Sequence, residues 1–223
     1  MAVAADAVMT GGNSSDGDCL QLDNSTGGST AGMTVGSGAT LLVATACWQT
    51  GAVTARAMTW DGVAMTEALT FQRVAGANSR VSLFTLVSPN VGNKTLAISW
   101  TTTSDCYVGC VSFTGTDTVT GYNAANNATS TTTTVTVTAT SDGATVAVWT
   151  TNGSTPTMNF TKIWDDAPFD PGGGSTYQLG GSSNGHTFTG AGGSNETGAG
   201  INVIAASATT VRPRSLLTLG SGS

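Results

Sequence analysis

A single histidine, His186, serves a chain of 223 residues, and only 9% of those residues are charged, against roughly 25% in ordinary globular domains. One imidazole excludes a histidine-rich metal site and leaves little for histidine-based acid–base catalysis. Seven Lys+Arg against 13 Asp+Glu give a net charge of −6. That sign excludes a nucleic-acid binder working through counterion release, so no nucleic-acid partner is expected. No window approaches the ~18 uncharged apolar residues of a membrane helix, so no membrane partner is expected either. The start, Met1-Ala2-Val3-Ala4-Ala5-Asp6, has neither the basic region nor the apolar run of a secretory signal, which predicts a chain made and used without that export route or already trimmed.

Disorder is excluded by the opposite balance. Disordered chains combine low hydrophobicity with high charge; here 39% of residues are hydrophobic, mean hydropathy is +0.08 and only 5 residues are Pro. What the chain has in quantity is small and β-branched: 30 Gly and 41 Thr. Branching at Cβ stiffens χ1 and suits a pleated surface. Period-2 alternation bounded by turn residues predicts strands over 41–49, 55–60, 63–69, 69–74, 79–87, 95–101, 106–114, 131–140, 144–151, 159–164 and 201–208, with short candidates at 176–179 and 187–189. Asp61-Gly62, between two alternating runs, predicts a type I′ hairpin turn. Thr131 to Thr140 sets Val135 and Val137 on one face and threonine hydroxyls on the other.

No segment carries ten residues of 3.6 periodicity between caps. The expected fold is therefore all-β: an antiparallel, jelly-roll-like sandwich of about a dozen strands with no substantial helix. Its expected organisation is an N-terminal arm at 1–17, one sandwich domain at 18–210 with a Gly-rich loop at 180–200, and a C-terminal tail at 211–223.

Catalytic chemistry is hard to assemble from these residues. Glutamate occurs only at Glu67 and Glu196, so a glycosidase pair would have to be those two. Most aspartates sit beside Gly, Ser or Asn, where they close turns. Asp165, Asp166 and Asp170, with Asp16 and Asp18, offer oxygen ligands of the kind calcium takes, without the spacing of a calcium loop. No Gly-x-Ser-x-Gly elbow joins a strand to a helix, and no Gly-Lys-Ser/Thr phosphate loop occurs. No enzymatic activity, cofactor or metal is expected. Cys106 and Cys110 lie four apart in one alternating run, some 13 Å along a strand, too far to bridge. Buried free thiols are the expectation for all four cysteines. Trp48, Trp60, Trp100, Trp149 and Trp164 would stack on sugars if exposed, but their places in the strands predict core and rim.

The run Met58-Thr59-Trp60-Asp61-Gly62-Val63-Ala64-Met65-Thr66, then Ser82 to Pro89 (SLFTLVSP), Gly92-Asn93-Lys94-Thr95-Leu96 and Val111 to Asp117 (VSFTGTD) resembles a β-sandwich module of tailed-phage virion proteins, also seen in bacterial surface proteins. It spans about a quarter of the chain and departs from the pattern at Thr116, where valine is common, and in its two extra cysteines. The resemblance implies a β-sandwich in a virion or surface protein, with no catalytic residue. It leads to the expectation of a capsid decoration (cement) protein that binds the shell from outside and bridges major capsid subunits, as a homotrimer or other homo-oligomer. Fibre and minor tail proteins are of the same type. Arg212 and Arg214 in the tail and Ala2 and Val3 in the arm are the expected partner-binding residues, as arms that order on binding. The alternative is a carbohydrate-binding or receptor-binding sandwich of a tail fibre or surface protein, with a glycan as partner.

Overall fold

The structure is a computed structural model; it describes residues 2–50, 52–72, 79–125, 132–151, 156–166, 172–190 and 197–207, with 117–125 and 151 described by their backbone alone. Every regular element among the described residues is a β-strand, and every pairing between strands is antiparallel. The all-β sandwich expected from alternation is the fold observed.

The largest sheet, sheet A, holds β1 (Ala4–Val8), β2 (Leu20–Val35), β3 (Leu41–Trp48), β4 (Thr54–Trp60), β5 (Val63–Ala64), β6 (Thr66–Gln72), β7 (Arg80–Val87) and β8 (Gly92–Thr114). Its order is β5-β4-β8-β3-β7-β6, with β1 and β2 both along the other edge of β8. Alternation predicts two strands at 95–101 and 106–114, but they are one. β8 runs through 23 residues and changes neighbours part-way, from β4 (Trp60↔Leu96, Thr54↔Thr101) to β3 (Trp48↔Cys106, Leu41↔Phe113). The change falls at exposed Thr101–Thr103, where Thr102 has φ 72°, an outlier for a β-branched residue.

This change of partners lets sheet A fold over itself. Even-numbered residues of β3 (Leu42, Ala44, Ala46, Trp48) and of β8 (Leu96, Ile98, Trp100, Cys106, Val108, Cys110) share an inner core with Met58, Trp60 and Phe84. Odd-numbered residues (Leu41, Val43, Cys47; Tyr107, Val111, Phe113) face the other way, into a second core. β3 is therefore buried at every position, the pattern of a strand covered on both faces.

Across that second core lies sheet B, in the order β13 (Thr161–Asp166), β14 (Gly172–Leu179), β11 (Ala144–Thr151), β16 (Thr197–Ala205), β9 (Thr116–Ala125). It contributes Val146, Val148, Ile163, Trp164, Ile201 and Val203 to the shared interior. A third sheet, sheet C, covers the far side of sheet B with β10 (Thr132–Thr138), β15 (Ser183–Thr189) and β12 (Thr157–Met158), in the order β10-β15-β12. Val135, Val137 and Phe188 pack there on Ala147 and Trp149. Glycines make this contact close: a Cβ on Gly198 or Gly200 would come within 2.7 Å of Val135 Cγ2 or 2.6 Å of Val137 Cγ2.

Several segments differ from the sequence expectation, β9 (Thr116–Ala125) among them, where no strand is predicted. β2 spans residues for which no strand is predicted, and its ladder with β8 is broken by register shifts on either side of Ser25, beside Asn24 (φ 43°) and Gly27 (φ 157°), and again between Thr30 and Met33. Residues 4–8 of the expected arm form β1 on the end of β8. The glycine-dense stretch 180–200 contains β15 and the start of β16. At the Asp61-Gly62 hairpin, both turn residues have positive φ (52° and 78°) as a type I′ turn requires.

Candidate docking surface

The groups that carried potential chemistry in the sequence are withdrawn or clamped. All five tryptophans are buried, Trp60 donating its indole N–H to the Asn90 carbonyl and Trp164 to Thr45 Oγ1, each at 2.8 Å. Tyr107 is buried as well, and Tyr177 packs against the shared core of sheets A and B. No tryptophan is left to form an open platform for a sugar ring. Glu67 accepts two hydrogen bonds from Arg56, from Nε at 2.7 Å and Nη2 at 3.0 Å, and a third from Ser82 Oγ at 2.7 Å. Such a bidentate clamp fixes the orientation of the carboxylate and occupies both of its oxygens. Glu196, its would-be partner, lies outside the described residues.

The cysteines are four free, buried thiols. Burial raises all of them, Cys47 and Cys110 to about 12 and Cys19 higher still, with Cys106 well above the ordinary thiol range. Thiolate is the reactive form. Native protein at pH 8 is therefore expected to show no labelling by a thiol-specific disulfide reagent over minutes, and four labelled thiols per chain after denaturation. Rapid labelling of the native protein would contradict the buried placement.

Tertiary structure does bring acidic residues together. Carboxylate oxygens of Asp16, Asp18 and Asp165 lie within 4.8 Å of one another, and the Lys162 ammonium sits among them. Its Nζ is 2.6 Å from Asp165 Oδ1, 3.0 Å from Asp18 Oδ2 and 3.9 Å from Asp16 Oδ2. Burial works against the charge on Lys162, but hydrogen bonds to Asp165 and Asp18 outweigh it and hold the ammonium above the usual lysine range. The cluster fastens the loop after β1 to the edge strand of sheet B with a cation the chain itself supplies. Of the other aspartates grouped with these in sequence, Asp166 is buried and Asp170 lies outside the described residues.

The expected partner-binding residues fall in different settings. Ala2 is exposed. Val3 is a core residue, 5% exposed, and donates its backbone N–H to the Asp142 carbonyl at 2.8 Å. Arg212 and Arg214 lie outside the described residues.

One surface combines regularity with the absence of charge. On the outer face of sheet C, Thr132, Thr134, Thr136 and Thr138 of β10 are exposed, and the register sets them opposite Thr189, Thr187, Gly185 and Ser183 of β15. Directly opposed threonines hold one another, Oγ1 to Oγ1 at 3.3 Å for Thr132–Thr189 and 3.2 Å for Thr134–Thr187. Thr157 of β12 continues the row beside Thr189. Asn159 extends this third strand, donating from Nδ2 to the Gly185 carbonyl at 2.8 Å and accepting from the Thr187 N–H at 2.9 Å. None of the residues of β10, β12 and β15 is Asp, Glu, Lys or Arg. In sequence the hydroxyl face of 131–140 was legible. Its continuation on β15 was not, because Ser183–Thr189 is embedded in glycine-dense sequence.

No protein-family model matches this chain, and neither does any curated protein. The surface must therefore be read from its own chemistry. A rigid, uncharged hydroxyl sheet offers donors and acceptors in rows but no nucleophile, no acid–base pair and no concentrated field. It suits adhesion by shape and neutral hydrogen bonds.

Proposed function

We propose that the chain is a non-enzymatic structural protein of a phage virion, a decoration protein that lies on the outside of the shell and bridges neighbouring major capsid subunits. The observation that carries this reading is the uncharged hydroxyl face of sheet C on a body whose thiols, tryptophans and Glu67 are turned inward or clamped. The likeness of residues 58–117 to a tailed-phage sandwich module supports the setting. Layers sharing continuous cores would supply a stiff plate, and stiffness is what a brace across a pressurised lattice requires. A homotrimer would present three such faces to one junction of capsid subunits.

The test is add-back to purified shells that lack this chain, scored by co-sedimentation and by the temperature at which the shells release their contents. Binding is expected to persist from low to high salt, because neutral hydrogen bonds are not screened as ion pairs are. Replacing Thr134 and Thr187 by lysine should abolish it while leaving the fold intact. Shells that neither retain the chain nor gain stability from it would end this proposal.

A further inference from the structure

Sheet C shares no backbone ladder with sheets A or B among the described residues. It is held to sheet B by a small apolar cluster, in which Trp149 stacks on Phe188 at 5.8 Å and 5°, and by buried polar groups of β15, with His186 at their centre. That imidazole is fully buried on the inner face of β15. Its Nδ1 lies 2.7 Å from Thr176 Oγ1 on β14, and its Nε2 lies 2.8 Å from Thr145 Oγ1 on β11. Thr145 Oγ1 also accepts from Asn184 Nδ2 at 3.0 Å, and the edge of Phe160 closes the site, with ring centroids 4.8 Å apart.

The network suits a neutral ring. With Asn184 donating to Thr145, the Thr145 hydroxyl is free to donate to Nε2, leaving Nδ1–H to donate to Thr176. A second proton turns Nε2 into a donor aimed at a hydroxyl already pointing its own hydrogen there. The Thr145 proton must then find another acceptor in a closed space, and the new charge has nothing to neutralise it. The elements around the ring present Val135 from β10, Thr145 from β11, Thr176 from β14, and Asn184 and Phe188 from β15. None is ionisable. The charged groups on β13, which flanks β14, are Lys162 and Asp165, bound to each other, and buried Asp166; exposed Asp142 lies in the turn before β11.

We propose that sheet C is an acid-labile layer, released from sheet B by protonation of His186 while sheets A and B keep their structure. Burial holds the imidazole down to about 3 in the packed state, whereas a solvated histidine titrates near 6.5. The packed state binds the proton more weakly, so the layer is fully held above pH ~6.5 and loses its hold progressively as pH falls toward 3. Each pH unit in that window favours the released state about tenfold. Local opening of one layer below the global limit is the ordinary behaviour of a sub-structure with few buried contacts.

Hydrogen exchange of the full chain, followed by mass spectrometry at pH 7.5, 6.5, 5.5 and 4.5 and corrected for intrinsic rates, tests this. Peptides covering 132–138 and 183–189 should lose about fiftyfold in protection between pH 6.5 and 4.5. Those covering 41–48 and 106–114 should stay within about threefold. In His186→Gln, which keeps a neutral donor and acceptor, protection of β10 and β15 should become independent of pH. Where that variant does not fold, the His186 ring resonance of the wild type replaces it, and its titration must coincide with the loss of protection. Simultaneous loss in all sheets, an unchanged pH response in His186→Gln, or full protection of β15 at pH 4.5 would each overturn the proposal.

Discussion

Replacing Trp164 by alanine is expected to lower the unfolding free energy by about 3–5 kcal/mol, with a fall in Tm of roughly 6–20 °C for a domain of this size. Trp164 is fully buried between sheets A and B. It stacks on Tyr107, with centroids 6.1 Å apart and planes 21° apart, and its indole N–H reaches Thr45 Oγ1. The recess that admits it is a missing side chain: a Cβ on Gly109 would stand 2.2 Å from Trp164 Cδ1. Thr45 and Gly109 are directly paired across β3 and β8, so one cross-strand pair supplies both the space and the hydrogen-bond acceptor. Gly109→Val should therefore destabilise by a comparable amount through overpacking. The two changes should be non-additive, because with Trp164 already truncated a valine at 109 has somewhere to go. Urea melts of the two single variants and the double variant check this. A loss below 1 kcal/mol for Trp164→Ala, or strict additivity, would show that the two residues do not share a site.

The second large effect is expected at the N-terminus, where sequence alone suggests an arm. Val3 joins the core between sheets A and B, and Met9, 1% exposed, joins the inner core of sheet A. Between them β1 pairs with the end of β8, and Asp6 Oδ2 accepts from the Gly36 N–H at 2.8 Å and Ser112 Oγ at 2.7 Å. Val3→Ala with Met9→Ala should cost about 3–7 kcal/mol together, with the single effects close to additive because the residues sit in separate cores. Substitutions in an arm free in solution stay within about 0.5 kcal/mol. Thermal melts of the single and double variants separate the two cases, and a double variant as stable as wild type would return residues 2–9 to the status of an arm.

These two sites also show where sequence reasoning stops. The run Leu41–Trp48 is legible as a strand from its alternation, and Asp61-Gly62 as a hairpin turn, because both signals are local: side-chain parity and a need for positive φ. That Cys106 and Cys110 do not bridge follows from their spacing along one strand. β1 is illegible because Ala4–Val8 is too short and too small to show a pattern; only its pairing with β8 makes it a strand. β2 fails differently. Its bulges at Asn24 and Gly27 reset the parity, so no period survives for more than a few residues. The two runs of β8 read as separate strands because Thr101–Thr103 is exposed and polar, yet the backbone continues through them.

The candidate surface divides along the same line. Threonine hydroxyls on one face of 131–140 are a consequence of period 2 and need no partner to be seen. That Thr187 and Thr189 stand opposite them is a matter of register between segments some fifty residues apart, and register is settled by which faces become buried.

The sequence by itself determined the local geometry: β-structure throughout, the turn at Asp61-Gly62, and Cys106 and Cys110 too far apart along one strand to join. Only the tertiary structure decided that Asp16 and Asp18 meet Asp165 around Lys162, that Gly109 makes room for Trp164, and that the one histidine lies sealed between two sheets. The physical reason is range. Side-chain parity and backbone sterics act within a few residues, whereas the pairing of distant strands depends on the burial of both faces at once, which no short stretch of chain contains.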